Sequence, residues 1–326
     1  MNRLVRKKLF PRWAMLALLG LLGLTLATLF TLLYLLYWMQ APVGLPDPAS
    51  ALLKDPDFVL QARPSLWRPQ ELKWTDALLS KVLQGAPDAA RTAARYALAP
   101  ERAADCPMQV VASARAEQGR RRWAAAVSLG KYRGAFWLAD RAMSRMIRAG
   151  ALPYVPMRRG DANCYVRAEG AKGGAPAMCV WRATGIAGDS ADTVSAIHDS
   201  LAADADRAKG VLVAPKGAMA WGKAARPDAG LPSLLAVFWP KAPDMKEFLA
   251  ALGPVDYTAR VEDDGSLLLE AEAPWRGRAA ASQAAAEMKR TFESFEGAGG
   301  LEKTEVDAVG QGLRARLWFK APGKAD

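Results

Sequence analysis

Residues 13–39 read WAMLALLGLLGLTLATLFTLLYLLYWM and contain no charged side chain over 27 positions. A helix rises about 1.5 Å per residue, so this segment reaches roughly 40 Å, whereas the hydrocarbon core of a bilayer is about 30 Å thick. Apart from its aromatic residues, its only polar side chains are Thr25, Thr28 and Thr31. Their hydroxyls can bond to carbonyls of the preceding turn. The segment therefore predicts a single transmembrane helix.

The residues that flank this segment predict its orientation. Residues 1–12 carry five basic side chains and no acidic one, and positive flanks stay in the cytoplasm. Trp13 would then lie at the inner interface, and Tyr34, Tyr37 and Trp38 at the outer one. A cleaved signal peptide would have an apolar stretch of about 7–15 residues and a small-x-small cleavage site. The longer run and the poor site after Trp38 favour a retained signal anchor.

The charge of the chain does not point to nucleic acid. The formal net charge is +11, and five of these charges lie in the predicted cytoplasmic tail. The remaining excess is modest for a domain of this size and by itself implies no polyanionic partner. Because the composition is rich in Ala and Arg, as in bacteria with GC-rich genomes, we expect a bacterial inner-membrane protein. Its N-terminus would be cytoplasmic and the bulk of its chain periplasmic.

The remainder of the chain predicts an α+β ectodomain of repeated units, in which a helix is followed by a β-hairpin. Antiparallel sheets with helices packed on one face are expected from this order. Each half opens with one extra strand, at 57–63 and at 233–239. The predicted units lie at 69–129, 133–183, 243–273 and 276–319, with a weaker one at 190–221. The predicted segments are a Pro-rich spacer at 40–49 that holds the domain off the membrane, subdomain 1 at 50–225 and subdomain 2 at 228–326.

The order strand, helix, helix, β-hairpin over residues 57–129 is similar to that of polypeptide-transport-associated domains. The resemblance covers these residues alone and rests on the order of the elements, without a sequence motif. It implies a module beside a membrane that binds partners by adding strands to a sheet edge.

Few residues of this chain have the spacing that catalysis or metal binding requires. His198 is the only histidine, and it lies on a predicted helix beside an apolar stripe, where a structural role is the usual one. No nucleophile-elbow or phosphate-loop motif is present, and the glycine-rich run 170–174 falls in a hairpin. The acidic groups Asp204–Asp206 and Glu262–Asp264 lack the spacing of a calcium loop. We therefore predict no cofactor, no metal and no enzymatic activity.

A basic ridge is the most suggestive surface feature of the sequence. Between residues 115 and 159 there are eleven basic and two acidic side chains. On the helix predicted for residues 133–149, three arginines fall within about 60° of one another, and a triplet occupies a neighbouring hairpin turn. Such a ridge could bind an acidic protein or anionic headgroups, or could simply be solvated. Its residues are Arg120, Arg121, Arg122, Arg141, Arg145 and Arg148.

Small residues recur on one side of the predicted anchor, at Gly20, Gly23, Ala27 and Thr31. Small residues at this spacing let two helices approach closely, which would allow a homodimer to form through the membrane.

Two of the three cysteines fall on neighbouring predicted strands. Cys164 and Cys179 would lie opposite each other, and an oxidising compartment would permit a disulfide between them. Two buried thiols are the alternative.

Three functions fit these observations. The first is a membrane-anchored, non-catalytic envelope protein that binds or scaffolds a protein, an anionic lipid or a wall polymer. The second is an anchored hydrolase or wall-modifying enzyme that uses carboxylates such as Asp161, Glu262 and Glu270. The third is a sensor or secretion-apparatus subunit whose anchor pairs with other membrane helices. The scarcity of catalytic residues favours the first.

Overall fold

The fold is given by a computed structural model of the chain. It describes residues 12–64, 68–71, 73–74, 108–117, 120–131, 133–168, 176–204, 213–229, 231, 245–277, 279–297 and 300–321. The helices are α1 (Arg12–Gln40), α2 (Arg133–Arg148), α3 (Ala191–Ala203), α4 (Lys246–Ala250) and α5 (Ala281–Glu293), with a short 3₁₀ turn at Pro48–Ala51. The strands are β1 (Phe58–Ala62), β2 (Met108–Glu117), β3 (Arg120–Leu129), β4 (Tyr154–Arg159), β5 (Ala162–Arg167), β6 (Ala177–Trp181), β7 (Thr184–Gly188), β8 (Ala220–Ala224), β9 (Val255–Val261), β10 (Leu267–Pro274), β11 (Leu301–Val309) and β12 (Gly312–Phe319).

Within the described residues, these twelve strands form one continuous antiparallel sheet. Their order is β11-β12-β10-β9-β8-β1-β2-β3-β7-β6-β5-β4. The predicted α+β class with antiparallel strands and helices is thereby confirmed. Read outward from the central pair, the order is the same on both sides: β1-β2-β3-β7-β6 on one, β8-β9-β10-β12-β11 on the other. The hairpin β4–β5 is an addition at one edge, so the two halves share one topology.

The seam between the two halves is the pairing of β1 with β8, which aligns Leu60 with Gly222. A Cβ atom at Gly222 would lie 1.9 Å from the Val59 carbonyl oxygen and 2.5 Å from the Tyr257 hydroxyl. That hydroxyl donates to the Val59 carbonyl at 2.6 Å, and the Tyr257 ring stacks on Phe58 with centroids 5.5 Å apart. Glycine is needed here because the tyrosine from β9 crosses directly over β8.

Helices cover both faces of the first half of the sheet. The apolar side of α3 packs on Cys164, Cys179 and Ile186 in one core cluster. On α2, Phe136 lies against Gly185 of β7. Neighbouring strand residues face opposite sides of the sheet, so Phe136 and α2 lie on the face opposite the one where Ile186 packs under α3. The expectation of helices on one face is thus wrong for this half. A strand covered by a helix on each face needs apolar residues at both its odd and its even positions, and β2 has them.

In the second half, α5 covers the same face of the sheet as α2 covers in the first. Its Met288 and Phe292 pack in the core with alternate residues of β9, β10 and β12. The opposite face carries charged side chains that pair across the strands. Arg316 meets Glu270 at 2.9 Å and Arg314 meets Glu272 at 3.1 Å. This face remains polar because its charges satisfy one another.

The hairpins predicted at residues 108–129, 255–273 and 304–319 are present as β2–β3, β9–β10 and β11–β12. The segment 133–183 differs from its prediction, because it contains β4, β5 and β6 and is followed by β7. Most of the two helices expected between residues 69 and 98, and the strand expected at 233–239, lie outside the described residues. The division into subdomains 50–225 and 228–326 stays a prediction.

The segment that follows α1 contacts the domain. The Val43 amide donates to the Gly130 carbonyl at 2.7 Å, and the buried Gln109 side chain donates to the Pro46 carbonyl at 2.6 Å. Proline-rich sequence favours an extended chain, but these two bonds hold it against β2 and the end of β3. Residues 43 and 46 therefore contact the domain directly, and the expectation that residues 40–49 hold the domain off a membrane stays a prediction.

The part of α1 whose side chains the structure describes, residues 25–40, is mostly uncovered. Residues 25–37 are all exposed, and only Trp38 and Met39 become half-buried against the domain. A search confined to the described residues finds no helix with the combined length and hydropathy needed to cross a membrane.

Candidate functional site

The inner side of α2 is fixed to the sheet by a small polar cluster. The Tyr165 hydroxyl on β5 donates to a carboxylate oxygen of Asp140 at 2.5 Å and lies 2.9 Å from the Ser144 hydroxyl. The Asn163 amide donates to the other Asp140 oxygen at 2.8 Å. Tyr165 is buried, and this burial, together with the bond to Asp140, raises its pKa to about 12. These bonds set the rotation of α2 about its axis.

With that rotation, the outer side of α2 presents arginines beside large apolar side chains. Leu138 is 51% exposed and Trp137 is 36% exposed. The Arg141 guanidinium lies over the Trp137 ring, 5.2 Å from its centroid, and Arg145 is exposed one turn further along. The surface is therefore amphipathic, not simply basic.

Three arginines of α2 have no acidic partner among the residues that the structure describes. Within the described residues, Arg141, Arg145 and Arg148 make no ion pair, although the Arg148 Nε donates to the Ser144 carbonyl at 3.1 Å. The only acid on α2 is Asp140, which is engaged by Tyr165. The arginines at positions 122, 159, 226, 260, 314 and 316 all lie within ion-pair distance of a carboxylate.

The predicted ridge is divided by the fold. Arg122 and Ala124 are two residues apart on β3, so their side chains lie on the same face of the sheet. Ala124 packs in the core beneath α3, and the Arg122 side chain therefore lies on the face opposite α2. It also pairs with Glu117 at 3.1 Å. Arg120 lies at the exposed start of β3, and the side chain of Arg121 lies outside the described part of the chain. The predicted ridge is therefore not one continuous surface, and its members on the outer side of α2 are Arg141, Arg145 and Arg148.

Trp137 and Leu138 were not among the predicted site residues. Their signal was present in the sequence, because both fall in the same sector of the helical wheel as the three arginines. The predicted ridge is defined by charge alone and therefore does not include these two apolar side chains.

The end of α1 contacts the first turn of α2. A Cβ atom at Gly134 would lie 2.6 Å from the Met39 Cγ, so only glycine allows this approach. Further along α1, the Thr31 hydroxyl donates to the Ala27 carbonyl at 2.8 Å, as its sequence predicts. The surroundings of Gly20 and Gly23 lie outside what the structure describes, so pairing of two anchors stays a prediction.

Cys164 and Cys179 are direct cross-strand partners on β5 and β6, as the sequence predicts. The structure joins them by a disulfide whose two cysteines are 15 residues apart. Both side chains are buried in the core beneath α3.

His198 is buried between two aspartates. Its Nδ1 lies 3.1 Å from Asp199 and its Nε2 lies 3.8 Å from Asp161. Trp181 donates to the same Asp161 oxygen at 2.7 Å. The bond from Arg159, followed by that from His198, lowers the pKa of Asp199 to about 2. Within the described residues no hydroxyl or thiol bonds to the imidazole, so no nucleophile–base pair is formed here.

The carboxylates considered for catalysis do not converge. Seven strand positions separate β5, which Asp161 precedes, from β9, which Glu262 follows. At about 4.8 Å per strand this is roughly 34 Å. Glu270 is paired with Arg316 at 2.9 Å, and Glu262 with Arg260 at 2.8 Å.

One residue of each acidic group has a local structural role among the described residues. Asp204 accepts a hydrogen bond from the Ser50 hydroxyl, so it is not simply solvated, and Asp264 accepts from the Ser266 amide at 2.9 Å. The described residues contain no group of three or more side chains arranged to hold a metal ion.

Comparisons with protein-family models, with curated proteins and with solved structures found no match. The likeness of residues 57–129 to polypeptide-transport-associated domains therefore rests on element order alone.

Proposed function

We propose that this chain is a single-pass inner-membrane protein of a bacterial envelope, anchored by residues 13–39, with a non-catalytic α+β domain on the periplasmic side that binds a partner. The observation that carries the proposal is the exposure of α1. A helix that is apolar all round and uncovered by its own protein belongs in an apolar environment. Nine large apolar side chains between Leu26 and Tyr37 are each at least 41% exposed.

The orientation is supported by the basic tail and by the aromatic residues near the other end of the segment. A buried cross-strand disulfide between Cys164 and Cys179 also suits an oxidising compartment such as the periplasm.

The binding role is supported by the α2 surface, where charged and apolar groups are exposed together without partners. Among the described residues, the carboxylates that a hydrolase would need are paired or remote from one another. We therefore propose that the partner is an envelope protein, an anionic lipid or a wall polymer. We do not propose a catalytic role.

Membrane insertion can be tested by charging the anchor. The twelve leucines of residues 13–39 favour insertion by roughly 6 kcal/mol in total, whereas three arginines near the centre would oppose it by about 8–10 kcal/mol. We expect the wild type to stay in the membrane fraction after an alkaline carbonate wash. The variant L26R/L29R/L33R should be released, and its matched control L26A/L29A/L33A should be retained. Release of the wild type would refute the proposal.

A further inference from the structure

We propose that the outer side of α2 is a membrane-binding surface that holds the domain against anionic phospholipid headgroups. This inference rests on the proposed function, because it requires α1 to be in the bilayer. Its central observation is that the anchor and the unpaired arginines lie on the same side of α2.

The position of the membrane relative to α2 follows from α1. Residues 25–37 of α1 are exposed, and burial begins only at Trp38 and Met39. Because α2 leaves residues 25–37 uncovered, it crosses the end of α1 and does not run alongside this part of it. The Met39 side chain meets α2 at Gly134. The outer end of the anchor is therefore in direct contact with the first turn of α2.

Gly134 marks the side of α2 that faces the anchor. At 100° per residue, the outer residues of α2 fall within about 60° of Gly134 on either side. These residues are Trp137, Leu138, Arg141, Arg145 and Arg148. The same sector that receives the anchor therefore carries the three α2 arginines that have no described ion pair, together with Trp137 and Leu138. A membrane entered by α1 would lie below this sector along the roughly 24 Å length of α2.

The chemistry of the sector matches a lipid headgroup region. Trp and Leu insert at the boundary between headgroups and acyl chains, and arginine extends its long stem so that the charge reaches the phosphates. The contact of Arg141 with Trp137 keeps this guanidinium beside the ring that would insert. The only acid of the helix, Asp140, is on the inner side and is engaged by Tyr165. No negative charge of α2 therefore opposes an anionic surface.

The short connection between anchor and domain limits the alternatives. Val43 and Pro46 are hydrogen-bonded to the domain immediately after α1, so the domain cannot move far from the bilayer without breaking these contacts. A surface held this close to the membrane reaches lipid more readily than it reaches a large soluble protein. An acidic protein partner is the competing occupant, and the experiment separates the two.

The test uses the full-length protein in vesicles of phosphatidylcholine alone or mixed with anionic phosphatidylglycerol. A polarity-sensitive fluorophore is attached through Leu138→Cys, in a Cys106→Ser background, and quenched by spin-labelled lipids. The control site is Val309→Cys, which is exposed on the β11–β12 hairpin at the far edge of the sheet. We expect strong quenching at position 138 in anionic vesicles, weaker quenching at high salt, and none at position 309.

Two matched charge variants complete the test. R141Q/R145Q/R148Q should shift the ratio of docked to undocked protein about a hundredfold toward undocked, because three basic residues leave an anionic surface. K246Q/K289Q/R290Q removes the same number of charges from the other half and should leave quenching unchanged.

The outcomes also separate this inference from the proposed function. If the protein stays in the vesicles after an alkaline wash but position 138 behaves like position 309, the lipid assignment is overturned and an acidic protein becomes the occupant to pursue. Equal quenching in the wild type and in the α2 variant would overturn it as well. If the wash removes the protein, the proposed function fails and the inference fails with it.

Discussion

The seam between β1 and β8 predicts a large effect for a very small substitution. In Gly222→Ala the added methyl group would lie 1.9 Å from the Val59 carbonyl oxygen and 2.5 Å from the Tyr257 hydroxyl. Backbone atoms of a central strand cannot give way without opening the ladder between Phe58–Ala62 and Ala220–Ala224. Overpacking of this kind costs about 1–3 kcal/mol, and loss of the Tyr257–Val59 hydrogen bond adds about 1 kcal/mol. We therefore expect G222A to lose about 2–4 kcal/mol of unfolding free energy.

The assay is urea unfolding of the full-length protein in detergent, followed by intrinsic tryptophan fluorescence. Tyr257→Phe removes only the hydroxyl and should cost about 1–2 kcal/mol, because it leaves the carbonyl without that donor. Gly44→Ala is the matched glycine control, since a Cβ atom there meets nothing within 4 Å; it should stay within about 0.5 kcal/mol of the wild type. If G222A were as stable as G44A, the two halves would not be joined in the way described.

Three further predictions concern the disulfide and two titrating groups. Joint replacement of Cys164 and Cys179 by Ala should cost about 3 kcal/mol, as expected for a closed loop of about 15 residues, and in the wild type both thiols should alkylate only after reduction. Labelling without reductant would contradict this. Because the pKa of Tyr165 is raised to about 12, the wild type should lose stability as pH rises from about 10 to 12. Tyr165→Phe should lose less stability over this range, although not none, because burial also raises the pKa of Tyr257; an identical alkaline profile would argue against the buried hydrogen bond. The pKa of Asp199 is lowered to about 2 beside Arg159, so its contribution is present above about pH 4 and is lost toward pH 2. Asp199→Asn should flatten this acid limb, and unfolding curves at several pH values would reveal it.

Local features of the fold were readable from the sequence. Turn residues such as Gly310 and Gly265 link neighbouring alternating segments, so the hairpins β11–β12 and β9–β10 could be predicted from chain neighbours alone. The helix α2 was predicted within one residue of its observed end, because its apolar period is regular.

The non-local features could not be derived in this way. The β1–β8 seam joins segments about 160 residues apart, and no local pattern encodes such a pairing. Two strands were missed because their own residues argue against them: β4 contains Pro156, which cannot donate to a ladder, and β7 contains Gly185 and Gly188, which lack side chains to pack. The edge position of β4 explains why its proline is tolerated.

The candidate site was predictable in part. The angular grouping of Arg141, Arg145 and Arg148 follows from helix geometry, and the structure keeps these three together. Arg122 lies on the opposite face because its side of β3 packs under α3. Tertiary packing determines which side of the strand does so, and the local sequence does not. The contact of Met39 with Gly134, which places the α2 arginines beside the end of α1, likewise depends on how two helices pack together.

Two reporter fusions at Asp326 test the membrane anchor most directly. One carries alkaline phosphatase, and its counterpart carries a reporter that is active only in the cytosol. The account predicts an active phosphatase, an inactive cytosolic reporter and a membrane-bound product that still begins at its basic tail. Activity of the cytosolic reporter alone, or a mature protein that begins after Ala41, would contradict both the compartment and the lipid-facing role of α2.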